Sequence, residues 1–400
     1  MNILLVTEVI HPGGAETFVL RLSNALRQKG HNVRIFTFYK HLFNEGLYKE
    51  FTEAVPITHA EIPFPRLMGK IDSALFRLNI NYSVRDTFIK HSLKKLVRAF
   101  APTVIHSHLL KADKLCLQVA KGKNIPVVTT IHGDYLQFYN KTQQNIPIPL
   151  LQYAAKASYN LQHLAHVVCI SDKQIQFFKQ QFDNYTKGKI SKIYNGYDGK
   201  VTGDPGSLRK QLGIPENDFI FGMVSRGITE KGWEIAIKAF LQLNKPDTHL
   251  LLVGESEYLQ TLKSIYSSHK NIHFTGQSDK PLEWIAMMDV GLLPTTYPSE
   301  SLPTVIIEYL CCGIPSIASD AGEIVNMLQV EGKKAGIITP IENNTVHVNA
   351  VTAAMNQYMN DTALYNEHKK NAAACYEQFD MDKCIAAYCA VYENAASKAH

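Results

Sequence analysis

Val290-Gly-Leu-Leu-Pro-Thr-Thr-Tyr-Pro-Ser-Glu300-Ser-Leu-Pro-Thr-Val-Ile-Ile-Glu308-Tyr-Leu-Cys-Cys-Gly313-Ile-Pro-Ser-Ile-Ala318 reads as strand, loop, helix and strand in succession. The apolar run Val290–Leu293 stops at Pro294, and a polar loop follows. Pro303 suits the first turn of a helix, which Gly313 and Pro315 then end. A strand–helix–strand unit with short apolar strands is the building block of a parallel sheet buried on both faces. Glu300 stands in the loop ahead of the helix N-terminus, and Glu308 is the only charge in Val305–Cys312. Burying a carboxylate unpaired costs on the order of several kcal/mol, so Glu308 needs partners. A structural hydrogen bond meets that demand, and so does a hydroxylated ligand such as a ribose.

The same alternation extends to both sides. Phe219–Val224, His249–Val253 and Ile272–Phe274 precede the quoted stretch. An earlier series comprises Ile3–Val6, Val33–Phe38, Thr103–His106, Val127–Ile131 and Val167–Ile170. Helical patterns lie between, among them Trp233–Leu243 and Glu16–Lys29, the latter with Phe18, Val19, Leu22, Ala25 and Leu26 on one side. A Gly- and Pro-rich stretch, Gly199–Ser207, separates the series, and 400 residues exceed one ordinary core. The expected fold is α/β, with two Rossmann-like doubly wound parallel-sheet domains facing an interdomain cleft. Residues 1–198 form the first domain and 199–378 the second. Residues 379–400 form a helix, starting near Asp380, that crosses back to the first domain.

Composition narrows the classes further. Hydrophobic residues make up 46% and charged residues 19%, which fits a folded globular chain. No apolar run approaches the roughly 18 residues of a membrane span, and Asn2–Ile10 reads as a buried strand, not a signal peptide. The seven cysteines are scattered, with neither a disulfide framework nor zinc spacing, which predicts a cytoplasmic chain. Residues 1–200 hold 26 Lys and Arg against 13 Asp and Glu, while residues 201–400 hold 15 against 23. A basic first half predicts an anionic partner. Around Leu67–Phe100, Arg66, Lys70, Arg77, Arg85, Lys90, Lys94, Lys95 and Arg98 are interleaved with Leu, Phe and Ile. Such a stretch predicts peripheral contact with an anionic membrane, at the inner face of the plasma membrane. The interleaved aromatics of a nucleic-acid strand-binding face are not evident, so no nucleic acid partner is expected.

Ligands of doubly wound sheets bind beyond the carboxyl ends of the strands, so the polar residues that follow each strand matter most. Gly13 and Gly14 follow the first strand and open a helix, where bare backbone amides favour an anion. This is not the G-x-G-x-x-G dinucleotide fingerprint, which disfavours a nicotinamide dehydrogenase. Arg226 and Lys231 straddle the next such turn, Ser225–Gly232, a suitable pair of cations for a diphosphate. His106 and His108 follow one predicted strand, and His132-Gly133-Asp134 follows another. No paired-Asp motif for a metal is visible.

Together these residues resemble the family-four retaining glycosyltransferases of the GT-B fold. The resemblance spans nearly the whole chain: the Gly-Gly loop, His132, the Asn195-Gly196-Tyr197-Asp198 hinge, Arg226 and Lys231, and the E-x7-E pair Glu300 and Glu308. The E-x7-E block with its Gly-x-Pro ending is the most diagnostic part. Ser301 and Ala321-Gly322 depart from the family's usual glycines, which bears on donor identity. The resemblance implies a catalytic set of His132, Arg226, Lys231 and Glu300. It implies a donor site of Gly13, Gly14, Arg226, Lys231, Glu300, Ser301, Leu302, Pro303, Thr304, Val305 and Glu308. Here Arg226 and Lys231 meet the diphosphate, Glu308 the ribose and Glu300 the sugar hydroxyls, and the amides of Ser301–Val305 complete the pocket. His108 and Asp134 fall on the acceptor side. No metal and no cofactor are implied, because the nucleotide sugar is a substrate. The expected reaction transfers a hexose, with retention, from a nucleotide diphosphate sugar, most often UDP-linked in this family. The acceptor is a glycan or lipid-linked molecule in surface polysaccharide synthesis, lipopolysaccharide included. The alternatives on the same fold are a nucleotide-sugar epimerase, a glycoside phosphorylase or a non-catalytic binding protein.

Overall fold

A computed structural model describes residues 1–52, 55–80, 82–133 and 157–398. The chain divides into two units, Met1–Tyr197 with Met381–His400, and Asp198–Asp380.

Seven parallel strands build the sheet of the first unit: β1 (Asn2–Thr7), β2 (Asn32–Thr37), β3 (Ile57–His59), β4 (Val104–His108), β5 (Val127–Ile131), β6 (His166–Cys169) and β7 (Ile190–Lys192). Their spatial order is β3-β2-β1-β4-β5-β6-β7. Helices α1 (Gly14–Gln28), α2 (Glu45–Thr52), α3 (Pro65–Arg77), α4 (Val84–Phe100), α5 (Leu110–Ala120) and α6 (Asp172–Thr186) connect them. Side chains along β1 alternate between two apolar layers. Ile3 and Leu5 pack with Phe18 and Leu22 of α1 and with Tyr388 and Tyr392 of the C-terminal helix, Met381–Ser397. Leu4 and Val6 pack with Leu93 of α4 and Leu115 of α5. Burial on both faces is why these strands read as continuous apolar runs.

Two features of this unit differ from the sequence reading. The edge strands β3 and β7 are additional, three residues each and not fully buried, so they lack an apolar run to betray them. The basic stretch around Leu67–Phe100 is not one surface but two helices with opposite fates. On α4, Ile89, Leu93, Leu96, Val97 and Phe100 belong to the core. On α3 the only buried residue is Asp72, which receives Arg85 Nε at 2.6 Å and the Val84 amide at 2.6 Å. A polar clasp therefore holds α3, while Leu67, Ile71 and Phe76 stay exposed.

In the second unit the strands are β8 (Phe219–Val224), β9 (Thr248–Val253), β10 (Ile272–Gly276), β11 (Val290–Leu293), β12 (Ser316–Ser319), the hairpin pair β13 (Gln329–Val330) and β14 (Lys333–Lys334), β15 (Gly336–Thr339), and a second hairpin pair, β16 (Ile341–Glu342) and β17 (Thr345–Val346). The main sheet runs β10-β9-β8-β11-β12-β15, all parallel. Its helices are α7 (Pro205–Gln211), α8 (Trp233–Leu243), α9 (Glu257–Tyr266), α10 (Pro281–Ile285), α11 (Thr304–Cys311), α12 (Ile324–Met327), α13 (Val348–Asn360) and α14 (Thr362–Tyr376). In both sheets the strand order reverses beside the first strand, between β1 and β4 and between β8 and β11. The loops leaving the carboxyl ends at those reversals are where such sheets hold ligands.

Candidate active site

In the second unit two loops leave the reversal point, Ser225–Gly232 after β8 and Pro294–Pro303 after β11. They are stitched together. The Thr296 amide donates to Glu230 O at 2.7 Å, and Thr295 Oγ1 lies 3.1 Å from the same oxygen and 3.2 Å from Glu300 Oε2. Gly232 makes the approach possible. Its φ of +84° is left-handed, and a Cβ there would stand 2.2 Å from Pro294 O. Lys231 is consequently buried, at 6% exposure, with Nζ 2.5 Å from Glu300 Oε2. Arg226, by contrast, is an exposed residue. Its Cζ lies 5.1 Å from the Tyr297 ring centroid, and Lys231 Nζ lies 5.2 Å from the same centroid. Two cations thus share one aromatic ring, each in cation–π range.

Gly322 supports the Glu300 loop from behind. With φ +57°, its absent Cβ would fall 2.6 Å from Glu300 O and 2.7 Å from Ser301 O, and the Glu323 amide donates to Ser301 O at 2.8 Å. The second glycine of the family's usual pair is therefore the one this loop requires, and Ala321 fits beside it. Ser301 and Leu302 are buried, and the chain enters α11 through Pro303, its N-cap residue. Pro303 has no N–H, so it drops out of the expected row of amide donors. The Thr304 and Val305 amides remain at the helix start, where no intrahelical acceptor exists. Glu308 shares a half-buried stripe with Thr304, Val305, Cys311 and Cys312, while Ile306, Ile307, Tyr309 and Leu310 are buried. The full penalty of a carboxylate enclosed by apolar side chains therefore does not arise.

In the first unit Gly13 occupies the N-cap position of α1 without a side-chain cap, and Gly14 is exposed beside it. A Cβ on Gly13 would meet Glu16 Oε2 at 2.5 Å, and burial pushes the Glu16 carboxyl above its ordinary pKa. His108 ends β4, and His132 directly follows β5. Their rings stack at 5.1 Å, with His108 Nδ1 2.8 Å from His132 Nε2. His106, 4.1 Å from His108 between ring centroids, is held by Thr130 Oγ1 and Tyr392 OH, each at 2.8 Å. Burial lowers all three imidazole pKa values, His106 to about 3 and His132 to about 4, with neighbouring rings adding to the effect on His106 and His108. All three are neutral at pH 7. Phe18 of α1 packs 5.8 Å from His132, which ties the helix opened by the Gly-Gly loop to the histidines. Asp134 lies outside the described residues.

Sequence reading missed several polar groups around these sites. Glu8 follows β1 directly, and Lys111 Nζ reaches Tyr39 OH at 2.7 Å and Asp86 Oδ1 at 3.1 Å. Burial acts to lower the Lys111 pKa, but Asp86 and Tyr39 outweigh it and hold the amine charged. Glu8 was discoverable as a polar residue at a strand end, whereas Lys111 and Tyr297 carry no local signal. Among the described residues no cluster of three or more His, Cys, Asp or Glu is placed to hold a metal ion.

Two family models match the chain without overlapping: Glycosyltransferase Family 4 over residues 12–200, and Glycosyl transferases group 1 over residues 206–374. The chain is 23% identical to the N-acetyl-alpha-D-glucosaminyl L-malate synthase of Bacillus anthracis, over 95% of this chain and 93% of that one. It is 26% identical to the UDP-Gal:alpha-D-GlcNAc-diphosphoundecaprenol alpha-1,3-galactosyltransferase of Escherichia coli, over 67% of this chain and 70% of that one. Among solved structures, Anabaena Alr3699/HepE in complex with UDP and glucose superposes with a TM-score of 0.74 at 21% identity, covering 97% of this chain and 98% of that one. Two parallel-sheet units, each matched by its own glycosyltransferase model, make this chain a GT-B enzyme of glycosyltransferase group 1, a hexosyltransferase by family.

Proposed function

We propose that the enzyme transfers a hexose with retention from a UDP-sugar to a glycan or lipid-linked acceptor in surface-polysaccharide synthesis. The observation that carries this reading is the convergence of Arg226 and Lys231 on the Tyr297 ring, with Glu300 bonded to Lys231. Breaking the anomeric C–O bond leaves negative charge on the departing diphosphate. Fixed cations and the first-turn amides of α11 lower that barrier without a divalent metal, because they are already oriented when the charge appears. Glu308 accepts from the ribose hydroxyls. Glu300, aligned by Lys231 and Thr295, accepts from hydroxyls of the transferred sugar. From the first unit, the Gly13-Gly14 amides assist the diphosphate, and His132 meets the sugar. The acceptor hydroxyl attacks on the face the diphosphate leaves, and a phosphate oxygen takes its proton.

The complex of Anabaena Alr3699/HepE with UDP and glucose supports the nucleotide, and the diphosphoundecaprenol acceptor named for the Escherichia coli relative supports the acceptor class. No helix among the described residues is long and apolar enough to cross a membrane. We assign the membrane contact to α3, whose exposed Leu67, Ile71 and Phe76 accompany Arg66, Lys70 and Arg77, and place the enzyme at the cytoplasmic face. A panel of nucleotide sugars with a lipid-linked oligosaccharide acceptor, followed by NMR of the product anomer, tests the reaction. Donor and product share their anomeric configuration on this reading, and turnover persists in excess chelator. An inverted product, or sugar phosphate released only with added phosphate, contradicts it.

A further inference from the structure

His108 and His132 each keep one ring nitrogen that the protein does not satisfy. His108 Nε2 and His132 Nδ1 are sealed from solvent and have no hydrogen-bond partner among the described residues. The inner nitrogens, His108 Nδ1 and His132 Nε2, share one bond of 2.8 Å. A neutral imidazole carries one N–H, so one proton must lie in the shared bond. If His108 Nδ1–H donates, the His132 proton sits on Nδ1. If His132 Nε2–H donates, the His108 proton sits on Nε2. The two rings therefore always take the same tautomer. The second arrangement buries an N–H on His108, a residue with 0% exposure, where an orphaned donor is the rarer outcome. The first places the N–H on His132 Nδ1, itself sealed here but on a residue that is only partly buried and stands directly after a strand end, where ligands of such sheets bind.

We propose that His108 is a positioning residue: its Nδ1–H donates to His132 Nε2, which fixes the His132 proton on Nδ1 and makes that nitrogen a hydrogen-bond donor to an oxygen of the sugar substrate. His106, pinned by Thr130 and Tyr392, keeps the His108 ring from rotating out of this bond. The inference rests on the reading that His132 contacts substrate, and its test separates the two.

Ring ¹⁵N NMR of the free wild-type enzyme at pH 7.5 shows both histidines as Nδ1–H tautomers. An Nε2–H tautomer in either ring overturns the proposal, whatever happens to the variants. In steady-state kinetics, His108→Phe keeps a ring but loses the bond, and lowers kcat/KM about 10–100-fold, the usual scale for losing a group that orients a functional histidine. His108→Asn, whose amide reproduces Nδ1, stays within a few-fold of wild type. Adding His108→Phe to His132→Ala costs little further. A large loss in His132→Ala with none in His108→Phe, or fully additive losses, overturns the positioning role. No loss in His132→Ala overturns instead the reading of His132 as a substrate contact.

Discussion

At the scale of single residues, the site in the second unit depends on two glycines and one ion pair. Alanine at Gly232 would place Cβ 2.2 Å from Pro294 O, and alanine at Gly322 would place it 2.6 Å from Glu300 O, both at positive φ. Gly232→Ala and Gly322→Ala each cost more than about 1 kcal/mol of stability and displace the Glu300 loop. Thermal unfolding with parallel donor-KM measurements checks this, and wild-type values for both contradict it. The residue types at this site were legible in the sequence, since Arg226, Lys231 and Glu300 all follow strand ends. Their mutual arrangement was not. Lys231 and Glu300 are 69 residues apart, and only the pairing of β8 with β11 brings their loops together. Sequence reading gave Lys231 to the diphosphate and Glu300 to the sugar as separate tasks. In the structure the two side chains are paired, with Lys231 Nζ 2.5 Å from Glu300 Oε2. Tyr297 went unseen because a lone aromatic in a loop has no periodicity to report it.

At the scale of elements, the strands of the sheet interior were readable because burial on two faces forces apolar runs, as in Leu4–Val6 and Leu250–Val253. The edge strands β3, β7 and β15 were not, because three or four residues that are not all buried leave no such run. Helices α3 and α4 show the limit of composition more sharply. Both mix basic and apolar residues, and only packing reveals that α4 turns its apolar side inward while α3 does not. The membrane reading therefore belongs to α3 alone. Arg66→Glu with Lys70→Glu reduces cosedimentation with anionic vesicles at low salt severalfold, at about 1 kcal/mol per basic residue. Lys94→Glu on α4 changes it little. Equal losses in both, or no binding by the wild-type enzyme, contradict the assignment.

At the scale of the molecule, buried histidines govern the acid response. Burial lowers His106 to about 3 and His132, His166 and His273 to about 4, with nearby cationic or imidazole groups contributing to His106, His166 and His273. Unfolded, each titrates near 6.5. Below about pH 6.5 the unfolded chain therefore binds protons that the native state refuses. The stabilisation is complete above that pH and is lost as pH falls toward about 4, by up to about 1.4 kcal/mol per unit for each ring. Asp113, pushed up to about 6 by burial, acts in the opposite sense, as do Glu8, Glu16 and Asp289 more weakly. They trim the loss without cancelling it, since His31, His59, His108 and His368 are lowered as well. Denaturant midpoints are thus lower at pH 5 than at pH 7.5, and equal or higher midpoints contradict the burial account.

The most direct test of leaving-group stabilisation is turnover of Lys231→Ala at saturating donor. Removing Lys231 also leaves Glu300 buried without its cation, at a cost of about 3–5 kcal/mol, so folding is confirmed by circular dichroism at the assay temperature. The folded variant turns over about 10²–10³-fold more slowly than wild type, the scale of one lost transition-state contact. Turnover close to wild type would contradict the claim that this lysine meets the charge on the departing diphosphate.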